Sequence, residues 1–160
     1  MVGGSSQLRW LNAEEMRAWR AYVVGKELLD AQLNRDLQEE HQLALADYEV
    51  LVRLSEAPER QVRMSTLAAQ VASSKSRISH QVGRMEKAGL VRRQECPGDR
   101  RGVFAVLTNR GQEVLLSAAP THARGVRDNL IDLISEQEKL VIAEVFERLM
   151  SHLRGQQPTP

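Results

Sequence analysis

The chain has 160 residues, one cysteine and a formal net charge of +1. That is length for one compact domain or two small lobes, and too little cysteine for a disulfide framework or a thiolate metal cluster. The small total hides an uneven distribution: Ser73–Arg101 carries eight Lys/Arg against three acids, and Asn12–Glu56 ten acids against five bases. One region suits a polyanion and the other does not. No apolar run approaches the roughly 20 residues of a membrane span. The opening MVGGSSQLRW has no apolar signal-peptide core, so a cytoplasmic protein without a membrane partner is expected.

Asn12 is a good helix N-cap, followed by Glu14 and Glu15 where a helix dipole favours acids. Apolar residues then recur through Met16, Trp19, Val23, Leu28, Ala31, Leu33 and Leu37, without proline, predicting one long helix to about Glu40. Such a helix either runs into the core or finds a partner for the part its own chain leaves uncovered. His41–Ala44 reads as a connector. Leu45–Glu56 reads as a second helix with Tyr48, Leu51, Val52 and Leu54 facing inward, ended by Ala57-Pro58-Glu59-Arg60. Val62-Arg63-Met64 is the length of a short strand, and Ser65 is placed to cap the helix that follows.

Ser65–Val71 predicts a short helix with Leu67, Ala68 and Val71 on one side. Ala72, Ser73 and Ser74 break the pattern. From Lys75 to Ala88 the apolar residues Ile78, Val82 and Met85 recur at helical steps, leaving Ser76, Arg77, Ser79, His80, Gln81 and Arg84 on the opposite face. Gly89 falls where a helix C-terminus wants left-handed backbone. The outer face of this helix carries Lys75, Arg77, Arg84 and Lys87 against one acid, Glu86, with short hydroxyl and amide side chains between. Cations of that kind meet phosphates, and Ser, Gln, His and Arg reach base edges in a major groove. Leu90–Cys96 and Val103–Leu107 read as two strands, and Pro97-Gly98-Asp99-Arg100-Arg101-Gly102 as the turn between them. A ribbon with an arginine-rich tip beside a basic helix is the plan of a winged helix-turn-helix, with the tip suited to a minor groove.

Thr108 is placed to cap a helix over Asn109–Ala119, which Pro120 should end or kink. Ser135-Glu136-Gln137-Glu138 is a capping box. The last helix carries Leu140, Val141, Val145, Leu149 and Leu153 on one face.

The order of hydroxyl-rich helix, MEKAGLVRR, PGDRRG and LTNRG resembles the MarR family of bacterial transcriptional regulators, closely over Leu43–Gly111 and loosely over the flanking helices. The resemblance implies a mainly α fold with a small antiparallel β-wing. It implies a single domain over 1–160, in which a winged helix-turn-helix lobe (45–108) is flanked by helices (8–44 and 109–154) that form a dimerisation platform. A long fifth helix would then continue through Thr121–Leu133. The implied function is a sequence-specific regulator, most often a repressor, that binds double-stranded DNA as a homodimer. Two modules roughly 34–36 Å apart would read a pseudo-palindrome on one face of the duplex.

On that reading Ser74, Ser76, Arg77, His80 and Gln81 are the base-facing candidates, with Ser79 on the same face, and Lys75 and Arg84 contact phosphates. By resemblance Arg100 and Arg101 are the wing arginines, one of them entering the minor groove, and Asp99 orients a neighbouring arginine. His80 stands where some relatives carry arginine, which would make that contact pH dependent. Relatives bind small aromatic acids between platform and DNA-binding lobe. The candidates to line such a pocket are Trp19, Arg20, Tyr22, Lys26 and Tyr48, whose other reading is core or interface.

Three alternatives remain open. Cys96, among Arg92, Arg93, Arg100 and Arg101, is either an incidental thiol or a redox sensor. A zinc site would need Glu39, Glu40, His41 and His122 to converge; none of the four histidines forms an HxxxH pair, so no metal or cofactor is expected. A winged helix that binds protein would show an apolar or mixed-sign outer face on Lys75–Ala88. An enzyme is not expected, because the chain has neither GxSxG nor a GxxxxGK phosphate loop.

Overall fold

The computed structural model describes residues 9–71, 73–96 and 99–155. Helix α1 spans Ala13–His41. Its N-terminus is a full capping box: the Asn12 side chain accepts from the Glu15 N–H at 2.9 Å, and the Glu15 carboxylate accepts from the Asn12 N–H at 2.9 Å. Of its apolar stripe only Leu33 and Leu37 are buried. Trp19 and Leu28, read as part of the same stripe, are 54% and 67% exposed. The chain leaves the helix through Gln42, whose φ of 53° is left-handed.

Helix α2 spans Leu45–Glu56, as predicted. Ala44, at its N-cap, has no hydroxyl to offer. The Leu45 N–H instead donates to Asn34 Oδ1 on α1 at 3.0 Å, so the cap is supplied from another helix. After a turn at Pro58–Arg60, strand β1 (Gln61–Arg63) leads directly into helix α3 (Met64–Gln70). The expected Ser65 cap is not formed: α3 starts one residue earlier, with Arg63 at the N-cap position and no side-chain cap. Helix α4 spans Lys75–Lys87 and is capped by Ser74, which accepts from the Arg77 N–H at 3.2 Å.

Gly89 ends α4 with φ +72°, the left-handed conformation expected of it. The Gly89 N–H donates to Glu86 O and the Leu90 N–H to Met85 O, both at 2.9 Å, closing a Schellman motif that turns the chain into the sheet. Strands β2 (Val91–Cys96) and β3 (Asp99–Leu107) pair antiparallel, with Arg93 opposite Ala105, and β1 adds on the other side to give the order β1-β3-β2. The register slips between Glu95 and Cys96, as the strands approach the wing turn.

Thr108 begins helix α5 (Asn109–Asn129). Its hydroxyl accepts from the Gly111 N–H at 2.9 Å and donates to Gly89 O at 2.7 Å. Gly111 is required there, since a Cβ would lie 2.1 Å from the Leu90 carbonyl oxygen. Pro120 does not end α5, contrary to the reading of the residues alone. The helix runs on to Asn129, followed by a short 3-10 turn at Ile131–Leu133. Helix α6 (Glu136–Gly155) starts with the predicted box, in which Ser135 and Glu138 bond each other's backbone N–H.

The core lies where α2, α3 and α4 meet the sheet. Leu51, Leu54, Leu67, Ile78, Val82 and Met85 are all at most 1% exposed, and Leu115 and Ala118 of α5 close it from behind. Burying each of the larger side chains contributes roughly 1.5–3 kcal/mol. Helix α6 takes no part: it has no buried residue. The outcome is a mainly helical fold with a three-stranded antiparallel sheet. No described helix is long and apolar enough to cross a membrane.

Candidate nucleic-acid interface

Helix α4 is held by its apolar side. With Ile78, Val82 and Met85 packed inward, helical geometry turns the intervening positions outward. Ser74, Lys75, Ser76, Arg77, Ser79, His80 and Arg84 are all exposed. The Ser74 hydroxyl also serves as the N-cap. Gln81 is half-buried: its Nε2 donates to the Ala46 carbonyl at 2.8 Å and to Asp47 Oδ1 at 2.9 Å. Arg84 Nη2 lies 3.6 Å from the same Asp47 oxygen. Both residues are on the predicted face, and both are engaged by α2.

The sheet is tied to α4 by Arg93, which the sequence reading did not place in the site. Its guanidinium donates to the Ser79 carbonyl at 2.6 Å, and its backbone N–H donates to Glu86 Oε1 at 2.9 Å. As β2 is an edge strand, that outward N–H has no ladder partner, and the carboxylate of α4 satisfies it. No sequence motif announces this, because the partners lie seven and fourteen residues away. Between ribbon and helix lies a cavity of about 390 Å³, lined by three cations, Arg63, Lys75 and Arg93, with Ser65 and Ser79. Arg63 also lies over the Phe104 ring, 5.7 Å from its centroid. A second cavity, about 520 Å³, lies in the notch between α2 and α4 and is lined by Arg77, His80, Gln81, Arg84 and Glu49. The wing-tip assignments at Pro97 and Gly98, and those on the side chains of Asp99, Arg100 and Arg101, lie outside the described residues.

The residues proposed for a ligand pocket fall into two groups. Trp19 and Tyr22 stack loosely on α1, centroids 5.9 Å apart, and Tyr22 reaches Phe146 of α6 at 5.5 Å. Lys26, further along α1, pairs with Asp30, whose hydrogen bond raises the lysine pKa. Arg20 is exposed on the same helix. Tyr48 is instead buried on α2, stacked on His122 of α5 with centroids 4.6 Å apart. Burial raises the Tyr48 pKa and lowers that of His122.

Two of the zinc candidates, Glu40 and His41, are engaged with Thr121 of α5. Thr121 Oγ1 donates to Glu40 Oε2 at 2.8 Å, and His41 Nε2 lies 2.8 Å from the same hydroxyl. As the hydroxyl's one proton goes to the carboxylate, His41 Nε2 is the donor to it. Hydrogen bonds from Thr121 and Arg124 hold the Glu40 carboxyl below its usual range. Among the described residues no group of three or more His, Cys, Asp or Glu side chains is placed to hold a metal ion. Cys96 is buried at the end of β2, away from the exposed thiolate position that a sensor requires.

Comparison with known proteins places this arrangement. Residues 41–102 match the family model described as MarR family. AbsC, a MarR family transcriptional regulator from Streptomyces coelicolor, is 46% identical with a TM-score of 0.86, over 92% of this chain and 99% of that one. Sco3205, a MarR family transcriptional regulator from the same organism solved in complex with DNA, is 40% identical with a TM-score of 0.87, over 94% and 96% of the two chains. Among curated proteins, the transcriptional regulator HosA of Escherichia coli is 27% identical over 109 residues, 68% of this chain and 78% of that one.

Proposed function

Because this chain belongs to the MarR family of transcriptional regulators, which bind DNA and are not enzymes, we propose that it represses transcription as a homodimer bound to a pseudo-palindromic operator. The observation that carries the proposal is the division of exposed surface between α4 and α6. The outer face of α4 is cationic and hydroxyl-rich, whereas α6 leaves Leu140, Val145, Leu149 and Leu153 between 41% and 59% exposed. The first surface suits a polyanion, and the second suits burial against another apolar face.

In this reading residues 45–108 form the DNA-binding lobe, and residues 8–44 and 109–154 form the platform. α1 and α6 of two protomers bury their exposed stripes together, and each copy presents one α4 to a major groove. Ser76, Arg77, His80 and Gln81 face bases. Lys75 and Arg84 meet phosphates, and Arg100 or Arg101 enters the minor groove with Asp99 orienting it. A small aromatic acid bound near Trp19, Arg20, Tyr22 and Lys26 would change the spacing of the modules and release the operator. Tyr48, already stacked on His122, is better suited to a structural role.

The test is fluorescence anisotropy with duplex from the region upstream of the protein's own gene, against a scrambled duplex, over a salt series. Tight upstream binding, much weaker binding to the scramble and a steep loss with salt are expected. Equal affinity for both duplexes would reject the sequence-specific reading. Binding to neither at low salt would favour a winged helix that recognises protein.

A further inference from the structure

The notch between α2 and α4 contains a contact that DNA binding as described above leaves unused. Gln81 directs its Nε2 at two oxygens of α2, Ala46 O and Asp47 Oδ1. A backbone carbonyl and a carboxylate can only accept, so the nitrogen of the carboxamide and not its oxygen faces α2. Three residues along, Arg84 pairs with the same Asp47 oxygen. The Asp47 side chain is 19% exposed and that of Arg84 71%. One carboxylate on a neighbouring helix thus restrains two side chains of the helix that presents the cationic face.

We propose that Asp47 is a positioning residue that sets what Gln81 and Arg84 can offer to DNA. The inference rests on the DNA-binding function proposed above. A glutamine free to turn reads adenine with two bonds, donating to N7 and accepting from the N6 amino group. With Nε2 committed to α2, Gln81 keeps only Oε1, an acceptor for the amino group of adenine or of cytosine. Its readout becomes a test for an amino group in the major groove rather than for adenine. Arg84 is held by an exposed pair, which is weak, so it can leave Asp47 for a phosphate but must break that pair to do so. Asp47 therefore damps the sequence-independent attraction while widening the readout from adenine to either base that presents an amino group.

The experiment compares the wild-type protein, Asp47→Asn, Asp47→Ala, Arg84→Ala, Gln81→Leu, Asp47→Asn/Arg84→Ala and Asp47→Ala/Gln81→Leu. The probes are a duplex enriched from a randomised pool by the wild-type protein and a scrambled duplex. Asp47→Asn keeps an acceptor for Gln81 and removes the charge that holds Arg84. It should raise the affinity for both duplexes roughly twofold to fivefold, because an exposed pair no longer has to be broken, and leave the salt slope and the base preference alone. Asp47→Ala should add a change of base preference, with adenine favoured over cytosine roughly three- to tenfold at the position Gln81 reads, for the second hydrogen bond gained. Reselection with Asp47→Ala should then give adenine at a position where the wild type accepts adenine or cytosine. Both effects should vanish in their partner backgrounds: the affinity gain in Arg84→Ala, the preference change in Gln81→Leu. An affinity gain that persists in Arg84→Ala would mean that Asp47 acts only through its field and would overturn the Arg84 half of the inference. Reselection by Asp47→Ala of the wild-type sequence would overturn the Gln81 half. Should the wild type enrich no duplex over the scramble, the DNA-binding reading falls and takes this inference with it.

Discussion

Helices α4 and α6 carry apolar stripes of similar spacing, yet the chain treats them in opposite ways. Ile78, Val82 and Met85 of α4 are at most 1% exposed, whereas Leu140, Leu149 and Leu153 of α6 are 59%, 41% and 51% exposed. A periodic stripe states that a face needs covering; it does not say which atoms will cover it. For α4 the cover comes from α2, α3 and the sheet of the same chain, which leaves its polar face the free one. For α6 the cover is left to come from elsewhere, and its apolar face is the free one. The first stripe fixes the fold, and the second is the surface that the proposed homodimer would bury.

The largest effect that would sharpen this contrast is on assembly. Leu140→Asp with Leu149→Asp should yield a monomer by sedimentation with the far-ultraviolet helix signal kept. Operator affinity should fall roughly a hundredfold, because the two modules no longer bind as one unit. A dimer surviving that double substitution would break the comparison. Next comes stability. Leu67→Ala, at a position 0% exposed, should cost roughly 2–5 kcal/mol in urea unfolding, at any protein concentration. Leu149→Ala should cost less as the protein is diluted, since its cover belongs to the associated state. A concentration-independent loss at Leu149 would assign α6 to the monomer. At the wing, Arg100→Ala with Arg101→Ala should leave the dimer intact and lower the salt slope of DNA binding by about 2, one unit for each lost phosphate or groove cation. Unchanged operator binding would remove the wing from the interface.

The smallest effect is a pH dependence at the junction of α2 and α5. Burial lowers the His122 pKa in the folded protein, so below about pH 6.5, the ordinary histidine value, the unfolded chain binds the proton first. Stability is then fully present above that value and is lost as pH falls through the lower folded pKa. Urea midpoints should decline over this range for the wild type and stay flatter for His122→Phe, which keeps a ring to stack on Tyr48. Parallel curves would show that the proton is taken up elsewhere.

Much of the fold was legible because its signals are local. Asn12, Thr108 and Ser135 each begin a helix and Gly89 ends one, all acting within one helical turn as the sequence reads. The inward face of α4 follows from periodicity, and the end of α2 from Ala57-Pro58-Glu59-Arg60. What escaped were contacts between elements and rules with local exceptions. Pro120 reads as an end or a kink, but a proline removes only one helical bond, and α5 continues past it to Asn129. Ser65 was read as a cap, but the helix begins at Met64, directly after β1. In the candidate site, exposure of Lys75, Ser76, Arg77 and His80 follows from the register of the buried face. The engagement of Gln81 and Arg84 by Asp47 does not, because the acid lies more than thirty residues away in sequence. Arg93 was hidden for the same reason. The sequence groups the aromatics only by type, and the fold separates them, sending Tyr48 to His122 and Tyr22 to Phe146.

The cap that Asn34 supplies to Leu45 bears on how this protein can be taken apart. A fragment cut at the end of α1 would begin α2 with its first amide unsatisfied. It would also lose Leu37 and, if cut again after β3, Leu115 and Ala118 from the same core. The winged lobe is thus not a transplantable module: grafts, chimaeras and shortened fragments need to carry the C-terminal turns of α1 and the first turns of α5 with it.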